Sequence, residues 1–276
     1  MSLQALSAAP DMSSPFFYII FSLMISSAAL SIVFLIAWSN FGRQAHALTW
    51  SMAFVAGALQ WGTTLSESVF PTHEAYLLLE NAFSIALITL GLRGHCQRTN
   101  CKFLPQNLFP FAAAVFLFIA WFVVAEPHAG IQLGAIPAYA SVSLYITAYI
   151  IFSYRERPRP SEWAAAIFCT LFATAQAVSA SIAFMQGSAP DAVLHSAYMH
   201  FTFLTVPAGY VAMSMFIILM MTSDISAKMK RLATRDQLTG LLNRRGFNEY
   251  GERAFSAAKR NDTPLSVIMT DIDRFK

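Results

Sequence analysis

The stretch FFYIIFSLMISSAALSIVFLIAW, residues 16–38, contains no charged side chain. A helix of about 20 apolar residues crosses the roughly 30 Å hydrocarbon core of a bilayer. Lipid offers no hydrogen bonds to the backbone, so a single apolar run satisfies its own N–H and C=O groups by forming a helix. The residues before this stretch lack the basic start of a secretory signal. The stretch is therefore predicted to be a retained membrane-spanning helix.

The composition of the whole chain agrees with a membrane protein. Of its 276 residues, 56% are hydrophobic and only 12% are charged, whereas an ordinary soluble domain is about 25% charged. The mean hydropathy is +0.51. These values exclude an ordinary soluble globular domain. The three cysteines are too few and too scattered for a disulfide scaffold, so no disulfide is expected.

Six further apolar segments follow the first one along the chain. The second and third are the weakest, because Gln60 interrupts one and Glu80 and Asn81 interrupt the other. Five or six helices are therefore alternatives to seven. The seven predicted spans are residues 16–38, 47–65, 75–92, 108–125, 131–152, 163–185 and 201–221.

Lysine and arginine residues are confined to alternate connections of this seven-helix arrangement and to the residues after the last span. The positive-inside rule makes that side cytoplasmic, with a periplasmic N-terminus and a cytoplasmic C-terminus. Removing any single helix would place basic residues on both sides, which favours a count of seven. The basic connections contain Arg43 in the first, Arg93, Arg98 and Lys102 in the third, and Arg155, Arg157 and Arg159 in the fifth.

Residues 222–234 differ abruptly from the apolar segment that precedes them. They mix charged residues with Ile225, Met229 and Leu232, which recur on roughly one helical face. Proline and glycine are absent from residues 210–236. This pattern predicts a signalling helix that continues the seventh span and pairs with its counterpart in a parallel dimer.

The C-terminal residues 235–276 divide into a turn, a helix, a loop and a strand. Asp236 and Thr239 suit a turn with local side-chain hydrogen bonds, and Gly240 can adopt a positive φ. Residues 244–259 are predicted to form a helix, and the apolar residues 265–269 are predicted to form a buried strand.

Two aspartates follow the predicted strand. Asp271 and Asp273 are placed where carboxylates can hold Mg²⁺ together with phosphate oxygens, and Lys276 adds a charge suited to phosphate. Residue types alone favour a simpler interpretation, a solvated acidic turn.

Two motifs in a fixed order change this interpretation. DQLTGLLNRRGF at residues 236–247, followed by DIDRFK at residues 271–276, resembles the beginning of a GGDEF domain. The resemblance implies the α/β nucleotidyl cyclase-like fold of the diguanylate cyclase family. In that family two GTP-loaded protomers face one another and form cyclic di-GMP.

The resemblance also implies roles for individual residues. Asp271 would be a side-chain ligand of Mg²⁺ or Mn²⁺, and the carbonyl group of Ile272 would be a second ligand. Phe275 and Lys276 would contact the triphosphate of GTP. The implied organisation is a sensory domain of transmembrane helices (residues 1–221), a signalling helix (222–234) and the N-terminal portion of a GGDEF domain (235–276).

The resemblance covers about the last 44 residues, roughly a quarter of an ordinary domain. The Gly-Gly-Asp-Glu-Phe signature does not occur in the chain. The family's guanine-reading residues and the second half of its metal site are also absent. Phosphoryl transfer needs metals, positioning and charge stabilisation together, so the chain is expected to be an inactive fragment of a longer enzyme.

Glu80 and His200 are the candidate sensory residues of the helical region. An ionisable group within a membrane span is energetically costly, which makes Glu80 a functional candidate. Its expected partners are Gln60, His200 or water. His73, His128, His195 and His200 lie on or near the predicted outer side, but they lack metal-ligand spacing, and solvated histidines are the simpler interpretation.

The sequence thus favours a diguanylate cyclase in the inner membrane of a bacterium, with its transmembrane sensory domain controlling GTP condensation. The expected partners are GTP, a second copy of the chain and membrane lipids, with no nucleic acid. One alternative is a degenerate GGDEF domain that acts as a receptor for GTP or cyclic di-GMP. Another is a seven-helix receptor or transporter with a vestigial tail. Polar groups converging on a midplane cavity would favour this last alternative, and the predicted helices offer few of them.

Overall fold

The computed structural model describes residues 15–101, 106–154, 156 and 158–270. Within these residues the fold is helical, with one 3-10 turn at Glu67–Val69. Eight α-helices occur in this described part: α1 Pro15–Asn40, α2 Ala45–Leu65, α3 His73–Thr99, α4 Leu108–Val124, α5 Ala129–Ser153, α6 Pro160–Phe184, α7 Ala192–Thr234 and α8 Arg244–Asn261.

Each of the seven predicted apolar segments coincides with one of the helices α1 to α7. Five of these helices, α1, α3, α5, α6 and α7, are long and apolar enough to cross a membrane. The other two are α4, with 17 residues, and α2, whose 21 residues include a buried Gln60 and several hydroxyl side chains. The membrane character is thus supported, and the count of seven spans remains a prediction.

The chain divides into two compact units, Met1–Met220 and Met221–Lys276. The first unit contains α1 to α6 and most of α7. Its helices approach closely at small residues, as expected for helices packed in lipid. The indole of Trp50 lies directly against Gly94, where a Cβ atom would overlap the ring. The Ser141 hydroxyl donates a hydrogen bond to the Ala173 carbonyl across the α5–α6 contact, at 2.8 Å.

The end of α3 differs from the sequence expectation. Arg93 and Arg98 lie within the last two turns of α3 rather than in a connection, because the helix extends to Thr99. Its C-cap residue, Asn100, has φ +51°. Arg98 is buried and pairs with the carboxylate of Glu162 on α6, at 2.8 Å. This ion pair joins two helices far apart in sequence, so the residue spacing alone did not indicate it.

The second unit contains the end of α7, a turn and α8. The predicted helix 244–259 is confirmed as α8, which begins after the N-cap Asn243. The predicted strand 265–269 does not form in the described residues, whose only β feature is an isolated bridge between Arg235 and Leu242. A strand requires a neighbour for its backbone groups, whereas Ile268 and Met269 are 87% and 94% exposed. The α/β fold of this segment is therefore not confirmed.

Candidate functional site

The turn between α7 and α8 is built around the carboxylate of Asp236. One of its oxygens, Oδ1, accepts hydrogen bonds from the backbone N–H and the hydroxyl of Thr239, both at 2.9 Å, and from the N–H of Leu238 at 3.2 Å. Gly240 follows with φ +71°. The predicted turn is therefore confirmed. The bonds donated by Thr239 stabilise the charged carboxylate and hold the pKa of Asp236 below its usual value.

Asn243 connects the end of α7 to the beginning of α8. Its side-chain N–H donates to the Ala233 carbonyl at 3.0 Å, and its Oδ1 accepts from the Gly246 N–H at 2.9 Å. A Cβ atom at Gly246 would overlap the carbonyl oxygen of Thr234, so only glycine allows this close approach. The first motif of the C-terminal segment thus has a structural role that is visible in its hydrogen bonds.

The residues proposed to bind metal and triphosphate are Asp271, Ile272, Phe275 and Lys276. All four lie outside the described residues. Their predicted roles are therefore tested neither by a distance nor by a contact.

The helical unit contains a cavity of about 940 Å³, at the upper end of the volume range of small-molecule sites. Residues of α1, α2, α3, α5, α6 and α7 line it. On α3 the lining residues recur every three or four positions from His73 to His95, which is a single helical face about 33 Å long. These lining residues are His73, Tyr76, Leu77, Glu80, Asn81, Ser84, Leu87, Ile88, Gly91, Leu92 and His95.

Glu80 lies on this cavity face and is held by neutral partners. The side-chain amide of Gln60 on α2 donates to Glu80 Oε1 at 3.1 Å, and the Ser84 hydroxyl donates to the same oxygen at 3.4 Å. The expected pairing with Gln60 is therefore present. His200 also lines the cavity, but its Nδ1 bonds with the Ser196 carbonyl at 2.7 Å instead.

Aromatic side chains form a large part of the cavity wall. Tyr76 lies one helical turn before Glu80 on the same face of α3, and Tyr198 of α7 lines the same cavity. The Tyr210 ring packs edge-on against Trp61, with 6.4 Å between ring centroids, and against Phe54, at 5.6 Å. The fold thus places the Glu80 carboxylate in a cavity lined by aromatic rings.

Several buried polar atoms of the lining residues have no hydrogen-bond partner in the described part of the chain. Most buried polar groups in proteins are paired, so each exception needs an explanation. The atoms are the indole Nε1 of Trp61, both ring nitrogens of His95, Oε1 of Gln176 and Nδ1 of His195.

The cavity wall is more polar than the sequence indicated. The predicted helices offered few polar groups for a cavity, yet Glu80, Gln60 and Gln176 all line this one. The outer histidines do not form a metal site, since no group of three His, Cys, Asp or Glu side chains in the described residues could hold an ion. His73 instead contacts Glu67 at 3.1 Å, and His128 caps α5.

The comparisons with known proteins concern the C-terminal segment. Residues 233–276 match the family model of the diguanylate cyclase GGDEF domain, which confirms the resemblance seen in the two motifs. No curated protein matches the chain, and no solved structure matches it either.

Proposed function

We propose that this protein is a membrane-bound diguanylate cyclase that condenses two GTP molecules into cyclic di-GMP and releases pyrophosphate. The observation that carries this proposal is the family match over residues 233–276, where both motifs occur in the family's order. The five helices that are long and apolar enough to cross a membrane support a membrane location. The helical unit would then act as the sensory domain.

The metal site of the proposal consists of the Asp271 carboxylate and the Ile272 carbonyl group. Both are hard oxygen donors of the kind that Mg²⁺ and Mn²⁺ prefer, so the donor set fits the implied ion. Such an ion neutralises phosphate charge when it is bound. Phe275 and Lys276 would hold the triphosphate of GTP, with the Lys276 ammonium as a point charge for phosphate oxygens.

The proposed topology has seven spans in the inner membrane of a bacterium, with a periplasmic N-terminus and a cytoplasmic C-terminus. The one-sided distribution of lysine and arginine supports it. Alkaline phosphatase fused after Arg159 should be inactive, and an active fusion at that position would contradict the topology.

The proposed enzyme works as a homodimer, because each protomer presents one GTP to the other. Positioning two reactants is a large part of such catalysis, so a small movement of the helices that carry the two domains can switch the reaction. Helix α7 lines the cavity with Tyr198 and Tyr210 and continues without interruption to Thr234. This continuity supports α7 as the element that transmits a signal.

The catalytic proposal is tested with the product of the complete gene, purified in detergent and supplied with GTP and Mg²⁺. We expect cyclic di-GMP from the wild type and a loss of at least about a hundredfold for Asp271→Asn, because a metal ligand is removed. Residues 1–276 alone should give no product. Unchanged synthesis by Asp271→Asn would overturn the assigned ligand, and synthesis by residues 1–276 would overturn the need for the signature loop.

The cavity favours a second candidate, a ligand receptor whose C-terminal segment is not an enzyme. Polar and aromatic side chains of six helices converge on that cavity, as expected for a receptor or transporter. The same experiment separates the two functions, because a receptor of this kind would give no cyclic di-GMP from the complete gene product.

A further inference from the structure

We propose that the cavity of the helical unit binds a protonated apolar amine, with its ammonium group against Glu80 and its apolar body among the aromatic side chains. The binding site belongs to the first compact unit alone. The proposal adds a ligand class to the proposed sensory role, but binding itself does not depend on the cyclase activity.

The charge of the cavity wall selects a cation. Two carboxylates, Glu67 and Glu80, line the cavity, and its basic lining residues within the described chain are histidines, with no lysine or arginine among them. Glu67 already contacts His73. Glu80 is held by the neutral side chains of Gln60 and Ser84. Glu80 is only partly exposed. A carboxylate with limited access to water is stabilised by a positive partner, and a cationic ligand would supply that partner.

The rings around Glu80 suit an ammonium group. A cation is attracted to the face of an aromatic ring, and the attraction increases when water is excluded. Tyr76 lies one helical turn before Glu80 on the same lining face of α3, and Tyr198 and Trp61 line the same cavity. An amine can therefore meet a carboxylate and aromatic rings at the same place.

An unpartnered acceptor lies in the same cavity. Gln176 is only 7% exposed, and its Oε1 has no partner among the described residues. A protonated amine carries N–H donors and no acceptor, so the acceptors Glu80 and Gln176 Oε1 both favour it over a ligand that carries only acceptors.

Other ligand classes fit less well. An anion would meet two carboxylates and no lysine or arginine in the described lining. A metal ion would need three or more suitable side chains, and no such group is present among the described residues. The extended apolar wall, with Phe54, Phe172 and Phe203 among its residues, favours an organic molecule.

The test uses residues 1–276 in detergent micelles and three probes of similar shape. These are 4-phenylbutylamine, neutral 4-phenylbutanol and anionic 4-phenylbutyrate. Binding is followed by the intrinsic tryptophan fluorescence, to which the cavity-lining Trp50 and Trp61 contribute. We expect the amine to bind at least about tenfold more tightly than the alcohol, with the anion weakest.

Two variants assign the charge to Glu80. Glu80→Gln should weaken amine binding about tenfold and leave alcohol binding unchanged, since it removes the charge and keeps the shape. Glu74→Gln is the matched control, because Glu74 is exposed at the start of the same helix and does not line the cavity. It should leave both affinities unchanged.

Equal affinities of the amine and the alcohol, or an unchanged amine affinity in Glu80→Gln, would overturn the proposal. The comparison of the three probes on the wild-type chain decides the ligand charge even if Glu80→Gln does not fold. Because binding is measured without GTP, failure here would leave the cyclase proposal intact. Failure of the Asp271 experiment would likewise leave the binding site intact.

Discussion

Polar side chains have different surroundings in the helical unit and in the C-terminal segment. In the turn before α8, Asp236 and Asn243 are satisfied by groups within ten residues of their own position. In the cavity, His95 and Gln176 are buried and have polar atoms with no partner in the described chain. A turn whose bonds are complete has a structural role, whereas unpartnered groups in a cavity are available to a ligand.

The two regions also contain contrasting ion pairs. Arg98 and Glu162 pair at 2.8 Å with side chains that are 2% and 0% exposed. Arg245 and Glu249 pair at 3.2 Å on α8, one helical turn apart, with side chains that are 72% and 34% exposed. Water screens the second pair and not the first, so the same chemistry has very different energetic consequences.

The largest predicted effect is that of removing the buried carboxylate charge. Glu162→Gln should lower the free energy of unfolding by about 3–5 kcal/mol, because Arg98 then remains buried without this negative charge. The Arg159 N–H and the Arg98 guanidinium donate to different oxygens of Glu162. A glutamine has a single acceptor oxygen, so the variant removes the charge and one of these hydrogen bonds together. The measurement is denaturant unfolding of residues 1–276 in mixed micelles.

The exposed pair supplies the control for that experiment. Glu249→Gln should lower the free energy of unfolding by no more than about 0.5 kcal/mol, as is typical of exposed pairs one helical turn apart. If both variants change stability equally, the contrast between the two regions is incorrect.

The sequence predicts features whose causes are local. Long apolar runs identified the positions of α1 to α7, because burial in lipid leaves a continuous signal along the chain. The turn at Asp236 and Gly240 was predicted for a similar reason, since its hydrogen bonds join residues that are close in sequence. The two motifs of the C-terminal segment were sufficient to indicate the family that the comparison then matched.

Features that depend on distant partners were not predicted. Gln60 and Glu80 weakened the hydropathy of two segments and were treated as interruptions, but they bond to each other across α2 and α3. On α3, Glu80 lies three or four residues from Tyr76, Leu77 and Ser84, which also line the cavity. This spacing was the signal that could have identified the cavity face. The strand at residues 265–269 failed for the same reason, because a strand depends on a neighbour that the apolar pattern does not specify.

The next prediction concerns coupling through α7. One alanine inserted after Ala227 rotates everything beyond it by about 100°, whereas seven residues nearly restore the original face. Residues 210–236 contain no proline or glycine, and α7 extends to Thr234, so rotation can be transmitted along the helix.

In the complete gene product, we expect the insertion of one alanine to change cyclic di-GMP synthesis several-fold more than the insertion of seven. A third variant, with four inserted alanines, tests another rotation of the helix. Such a difference would show that the segment transmits helix register and not merely proximity. Equal synthesis by all three variants would identify residues 222–234 as a passive tether.

The smallest predicted effect is the pH response of the turn that follows α7. Hydrogen bonds from Thr239 hold the pKa of Asp236 below its usual value, which is about 3.9 in model peptides. A depressed pKa means that the carboxylate stabilises the turn above the unfolded pKa and that this contribution is lost as pH falls through the folded pKa. A carbon-detected NMR titration of aspartate carboxyl groups in micelles should therefore give Asp236 a midpoint below the model-peptide value of about 3.9. Asp236→Asn keeps an oxygen acceptor for the Thr239 N–H. This variant should remove the pH dependence of the protection of the Thr239 N–H from hydrogen exchange.

A midpoint for Asp236 at or above 3.9 would mean that these bonds do not favour the charged form. The turn would then be held mainly by Asn243 and the close approach of Gly246 to Thr234.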